Sequence, residues 1–506
     1  MKKVITLSAA AFLSTALFAS TDVEAKIDAL EAKITKLEKA QKKQKKKLSK
    51  VNALAAKDNI KFDVDFRTAF DKLNYETASG KRYRNDSLLS NRLWLGMGYA
   101  PTENILFRGQ LSFNKAYGAS YGQRGTGFGF DTFDWVLNEN LTDDTIRLRE
   151  AYWLWTDKFG DIGVTASIGR RPATNGFLIN LREDDKSKSP MGHVINMEFD
   201  GASASVKLDA FVPGMMFKIC LGRGLTNAVG WASEATAYVG SPTGGSNLPN
   251  YAEDPNNLDT VDMAGFIFKP YDDGQYSVVT TWYRGFNLPG LYLSDYSFGA
   301  DGTPMTADDT QTWTMQSSGA MDGMAISFKV DGIGDGINDF LDETTVFASF
   351  AMTKSEEGTT VDRTATAAMM ASGMGIDGGM LGNTDSKTGY SRWFGVQMPN
   401  LTGGRFGLEY NHGSKYWRPF TYGEDTMIGS KMATRGTAIE AYWTQPLIEN
   451  VFSMQVRYTS ITYDYTGSNA FFGDGGTPFS MSEAQALGMD PVEKAQDLRV
   501  YFRYRY

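Results

Sequence analysis

From about residue 58 the chain falls into short stretches in which apolar and polar side chains exchange places at every second position, each bounded by Gly, Pro, Asp or Asn. Side chains of a strand alternate between its two faces, so the pattern predicts strands with one greasy and one polar face. The last stretch is the cleanest. Leu498, Val500, Phe502, Tyr504 and Tyr506 share one face, while Arg499, Tyr501, Arg503 and Arg505 share the other. An arginine facing lipid near the midplane costs about 2–4 kcal/mol, so these arginines are expected inside a closed barrel and the apolar face outside.

Strands are expected at 60–70, 88–99, 105–115, 145–156, 162–169, 202–210, 215–223, 261–269, 275–284, 321–330, 343–353, 391–398, 404–411, 436–445, 451–463 and 497–506, sixteen in all. Because 261–269 and 275–284 carry aromatics on both parities, the pattern admits any even count from fourteen to eighteen. Connections at 101–104, 157–161, 211–214, 270–274, 331–342, 399–403 and 446–450 are short, and everything between them is long. This is the plan of an all-β, transmembrane, antiparallel up-and-down barrel over residues 58–506, with short turns at the periplasmic rim and long loops outside. An even strand number brings the last strand beside 60–70, with Tyr504 and Tyr506 in the periplasmic girdle and Tyr506 ending the assembly signal. Within 145–156, strict alternation puts Glu150 in lipid, which predicts a bulge near it.

The residues ahead of the strands follow other periods. Met1-Lys2-Lys3 and the apolar run from Val4 to Phe18 read as a secretory signal peptide over residues 1–19, the run being too short to span a bilayer. Residues 22–57 lack Gly, Pro and aromatics, and place Ile27, Ile34, Gln41 and Leu48 at a and Leu30, Leu37, Gln44 and Val51 at d of a heptad seam. That seam predicts a periplasmic coiled-coil helix joining copies of the chain as a dimer or trimer, with the Gln layer setting register. Its lysine-rich second half is a solvated face, or a contact for anionic headgroups or cell wall.

Composition narrows the function classes. With Cys220 as its single cysteine the chain forms no intrachain disulfide and attaches no haem covalently. No later stretch approaches about 20 apolar residues, which excludes a helical membrane protein. The net charge of −8 understates the acidity of residues 58–506, because residues 22–57 hold eleven Lys against five acids. Acidic outer loops suit divalent ions bridging lipopolysaccharide, or cation entry, and give no ground for a nucleic-acid partner.

A barrel of this size is wide enough for an aqueous lumen. Its wall is expected to carry Arg67, Arg92, Arg108, Arg405, Arg457, Arg499, Arg503 and Arg505, with Asp63, Asp65 and Glu409 among them. The connection 170–201 contains Glu183, Asp184 and Asp185; folded inward, it sets acid against the arginine ladder, an arrangement that orients dipolar solutes. General diffusion porins resemble this architecture, and an ordinary exposed acidic loop is the alternative. Asp331 to Asp342 is Gly/Asp-rich like a calcium loop, but Ile333 stands where that pattern wants Asp or Asn, so a plain turn is the simpler reading. His193 and His412 lie in no nucleophile motif, and neither an enzyme nor a cofactor is expected.

At Gly169-Arg170-Arg171-Pro172-Ala173-Thr174-Asn175-Gly176, at Gly413-Ser414-Lys415-Tyr416-Trp417 and at Gly429-Ser430-Lys431-Met432-Ala433-Thr434-Arg435-Gly436 the chain resembles a family of uncharacterised outer-membrane proteins, found especially in epsilon-class proteobacteria. The resemblance implies a signal peptide, a short coiled coil and a barrel, and carries over no site residues. The reading is a porin-like channel of the outer membrane for passive diffusion of small hydrophilic solutes or ions, surrounded by lipid and lipopolysaccharide. An anchor gripping cell wall or a periplasmic partner through the basic coil, and a sleeve around a separate electron carrier, are the alternatives.

Overall fold

A computed structural model of the chain describes residues 60–117, 146–188, 190–228, 253, 258–297, 310–334, 336–357, 379–448 and 451–506; the expected signal peptide and coiled coil lie outside them. Nineteen strands are formed by the described residues: β1 (Lys61–Thr77), β2 (Arg82–Tyr99), β3 (Ile105–Ala116), β4 (Arg147–Phe159), β5 (Ile162–Arg171), β6 (Phe199–Lys207), β7 (Met216–Leu225), β8 (Val261–Asp272), β9 (Tyr276–Phe286), β10 (Pro289–Ser297), β11 (Thr310–Ser317), β12 (Met321–Asp331), β13 (Thr345–Ser355), β14 (Thr388–Pro399), β15 (Arg405–Gly413), β16 (Gly436–Ile448), β17 (Phe452–Tyr463), β18 (Phe472–Gly473) and β19 (Val492–Arg505). Sixteen of them close into an antiparallel barrel in which β19 pairs with β1, while β10, β11 and β18 make a small separate sheet. Each expected strand therefore exists, and the count of sixteen holds.

The closure register follows from the alternation. Arg503 stands opposite Arg67, Arg505 opposite Asp65 and Arg499 opposite Asp71. Outward positions such as Phe66, Phe70, Ile219, Leu221, Phe328, Phe394, Leu408 and Phe502 are exposed all round the barrel. So much apolar surface has no place in water, and in hydrocarbon only a closed sheet satisfies every backbone group. The molecule is thus a membrane-spanning barrel of the outer-membrane kind. Among the described residues no helix is long and apolar enough to cross a membrane.

The first connection departs from expectation. Instead of a long loop after residue 70, β1 and β2 run on as a hairpin to a tight turn at 78–81, where Gly80 takes φ +83°. Period two does continue there, with Asp71, Leu73 and Thr77 buried. It is masked because Leu73 faces an apolar patch of Ile428, Ala438, Ile461 and Ala495 rather than water. The same cause explains the mixed parity of β8 and β9. Their inward Val261, Ile267, Val279 and Tyr283 pack against Val194, Met197 and Phe420 from two connections that enter the lumen, residues 172–198 and 414–435. The anticipated bulge is present in β4, where the register against β3 slips by one residue and both Arg149 and Glu150 point inward.

Candidate functional site

The two inward loops pair with each other before they meet the wall. Asn196 N–H donates to Phe420 O at 2.7 Å, Phe420 N–H to Val194 O at 2.9 Å, and Gly423 N–H to Asn196 O at 2.7 Å. Their bases are the segments that carried the family resemblance. Trp417 Nε1 donates to Met432 O at 2.7 Å, and the fully buried Arg435 donates to the carbonyls of Trp417, Thr466 and Gly476 at 2.7–3.0 Å. Loop 414–435 is thereby stitched to itself and to residues 464–491.

The tip of loop 172–198 is a single helical turn, α1 (Ile179–Arg182), followed by Asp184 at φ +51°, a left-handed turn that Asp tolerates. This turn lets Glu183 and Asp185 reach the ladder side by side. Arg457 Nη1 lies 3.2 Å from Glu183 Oε1, Arg503 Nη2 lies 3.0 Å from Asp185 Oδ2, Arg505 Nη1 lies 2.8 Å from Asp185 Oδ1, and Arg505 Nη2 is 3.6 Å from Asp184 Oδ2. Arg503 also holds Asp65 through Nε at 2.9 Å.

The second loop supplies what the sequence reading did not identify. Asp425 sits among four guanidinium groups: Arg67 Nη2 at 2.8 Å, Arg499 Nη1 at 2.9 Å, and Arg457 and Arg92 at 3.6 and 3.8 Å. Arg182 reaches Glu183 and Glu424 at 2.9 Å and Glu440 at 3.3 Å, and Lys431 binds Glu440 and, at 2.7 Å, Glu409. Burial raises the proton affinity of the Glu183 carboxyl, but Arg182, Arg457 and Arg67 outweigh it and hold the group at about 2. Burial acts in the same sense on Asp425, and Arg67, Arg499 and Arg457 hold it well below the ordinary carboxylate range. Both signs of charge are present, so the cluster is neutralised internally rather than left as a bare positive wall.

Of the arginines expected on the lumen wall, Arg67, Arg92, Arg457, Arg499 and Arg503 are at most 4% exposed. Arg108 and Arg405 face inward near the short-turn rim and remain exposed, Arg405 donating to Gln397 Oε1 at 3.0 Å. Arg505 is half-buried between them and the buried group. The acidic loop lies inside the barrel rather than exposed, and its carboxylates are bonded to the ladder directly. An alternating strand announces which residues point inward, whereas a connection has no period, so Asp425, Glu424, Lys431 and Arg182 gave no comparable signal. The density of Trp417, Arg418, Lys431 and Arg435 in one connection was the available hint, since a solvated loop rarely carries it.

His193 lies within loop 172–198, 1% exposed, with Nδ1 at 2.7 Å from Ser349 Oγ and Nε2 at 2.9 Å from Ser391 Oγ. Burial lowers its imidazole to about 3, so the ring is neutral and serves to seat the loop against β13 and β14. His412 is on β15, paired with Arg392 and Thr437. Residues 331–334 and 336–342 form a turn with a short helix, α2 (Asp339–Asp342), capped by Asn338, while Asp335 lies outside the described residues; among the described residues no three His, Cys, Asp or Glu side chains gather closely enough to hold a metal ion.

Comparison with solved structures returns bacterial outer-membrane barrels. OprB of Pseudomonas putida aligns at 11% identity over 90% of this chain and 96% of its own, with a TM-score of 0.45. A loop L8 deletion mutant of OmpT, an outer membrane protein of Vibrio cholerae, aligns at 10% identity over 88% and 99%, with a TM-score of 0.43. OmpF of Salmonella typhi, in complex with daunomycin, aligns at 10% over 88% and 97%, with a TM-score of 0.42. No curated protein matches in sequence. Residues 82–506 match a family described as protein of unknown function (DUF3373), and the chain belongs to that family.

Proposed function

We propose that the protein is a restricted porin-like channel of the outer membrane, passing small hydrophilic solutes or ions along a charge-lined path narrowed by loops 172–198 and 414–435. The observation that carries this reading is the junction of Glu183, Asp185 and Asp425 with Arg67, Arg457, Arg499 and Arg503 inside the barrel, since paired charges of both signs favour polar over apolar solutes. With these side chains so deeply buried, the conductance expected is small for a barrel of this size. Residues 22–57 join copies of the chain, as dimer or trimer, and lysines there touch anionic headgroups or cell wall.

Planar-bilayer recording of the purified protein tests the reading: small, stable steps are expected, with ion selectivity changed in Arg503→Glu, which sets a third acid beside Asp65 and Asp185. Unchanged selectivity in a conducting Arg503→Glu barrel would leave these arginines a purely structural role. The same burial favours a second reading, an anchor whose barrel is filled and whose basic coil grips the envelope. Absence of any conductance, with loss of envelope integrity on deleting residues 22–57, selects the anchor.

A further inference from the structure

Across the lumen from the charged junction, strands β5 to β9 enclose a second space, lined by Arg171, Phe199, Lys218, Cys220 and Tyr283 and covered by Ile195 of loop 172–198. About 620 Å³ there is free of protein atoms, yet only about 60 Å³ is wide enough for the centre of a water molecule, so the space is a narrow slot. Its lining is mostly apolar, it includes two cationic side chains, and among the described residues that line it there is no Asp or Glu. One buried polar atom of this lining, Arg171 Nη1, has no hydrogen-bond partner among the described residues. Cationic groups and an unmet donor in an apolar slot favour an occupant that brings one anion and a thin apolar body.

We infer that this slot binds a small planar or slender organic carboxylate, its apolar body against Phe199 and Ile195 and its carboxylate received by Arg171 and Lys218. The position of Lys218 supports the assignment: it is 8% exposed on the inward face of β7 and lines the slot together with Arg171. The inference stands whether or not the barrel conducts, because it concerns occupancy of the slot alone.

The test uses 4-fluorobenzoate as probe and follows its fluorine resonance with the purified full chain in detergent. Saturable broadening, competed by benzoate and absent with 4-fluorobenzyl alcohol, is the expected result. Lys218→Met and the slot-filling Ser203→Phe should each weaken binding by about tenfold or more, the loss of one charge-assisted hydrogen bond or of the space itself. No saturable broadening, equal broadening by the alcohol, or full binding in both variants overturns the assignment, the first meaning that water alone fills the slot. If neither variant folds, the single cysteine decides: benzoate, and not benzyl alcohol, should slow labelling of Cys220 by methyl methanethiosulfonate in the unaltered protein, and equal rates overturn the assignment.

Discussion

Asp425 is the residue on which the lumen turns, because one carboxylate answers Arg67, Arg92, Arg457 and Arg499 at once. Removing one partner of a buried charge set leaves the others uncompensated, at a cost of about 3–5 kcal/mol. Asp425→Ala should therefore lower the thermal unfolding temperature of the barrel sharply. Arg505→Ala, at the half-exposed rim, should change stability by about 1 kcal/mol or less, and similar shifts for the two variants would remove Asp425 from its central place. Acid should act at the same point. Glu183 is held at about 2 in the folded chain against an ordinary 4.5, so between those values unfolding takes up protons. Its stabilisation is complete above the ordinary value and is lost as pH falls towards the folded one. Melting temperatures measured from pH 8 downwards should stay level to about 5 and then fall, and a flat profile to pH 3 would contradict the pairing. The arginine half of this site was legible because Arg499 and Arg503 alternate with Val500 and Phe502; the Asp425 half was not, because nothing in a loop's sequence states which way it folds.

Single strands show how the wall is adapted to carry these loops. The bulge in β4 turns Arg149 inward beside Glu150, and Arg149 Nη2 lies 3.4 Å from Glu198 at the base of loop 172–198. Glu198 in turn accepts the Thr174 hydroxyl at 2.6 Å, so the extra residue in the strand holds both ends of the loop. The bulge was legible, since a charged Glu150 in lipid is untenable, but its purpose needed the loop in place. Elsewhere, inward glycines lie opposite aromatic rings on the next strand: Gly323 against Tyr283, Gly395 against Phe347 and Gly407 against Tyr442. A Cβ at each of these glycines would collide with the ring, so the pairing needs glycine for room rather than for backbone freedom. Gly407→Val should push Tyr442 from its hydrogen bond with Gln397 and cost about 1–3 kcal/mol, read as earlier loss of heat-resistant migration on gels. Gly80→Val, with nothing near its Cβ, would test backbone strain alone at the β1–β2 turn.

For the whole molecule, the barrel and its filling are separable. The wall is complete in hydrogen bonds without the loops, each strand pairing with two neighbours. Replacing residues 175–195 and 418–432 by short Gly-Ser turns should leave assembly intact and raise single-channel conductance severalfold, approaching that of an aqueous lumen. Conductance no greater than that of the full chain would mean that other segments close the path. Deleting residues 22–57 should leave the barrel folded and lower its oligomeric state in cross-linking, which separates the proposed coil from the wall.

Period two along residues 58–506 determined, by itself, the closed barrel, an even strand count of fourteen to eighteen, the side each arginine faces and the pairing of the last strand with the first. Those properties follow from a local rule: alternation on a pleated strand, combined with the cost of charge in hydrocarbon, leaves one register. Only the tertiary structure decided that sixteen strands close the wall, that loops 172–198 and 414–435 enter the lumen, that Asp425 lies among four arginines, and that the apolar inward faces of β8 and β9 are covered by those loops. Those outcomes depend on which distant surfaces meet, residues hundreds of positions apart such as Arg67 and Asp425, and no period within a connection encodes that meeting.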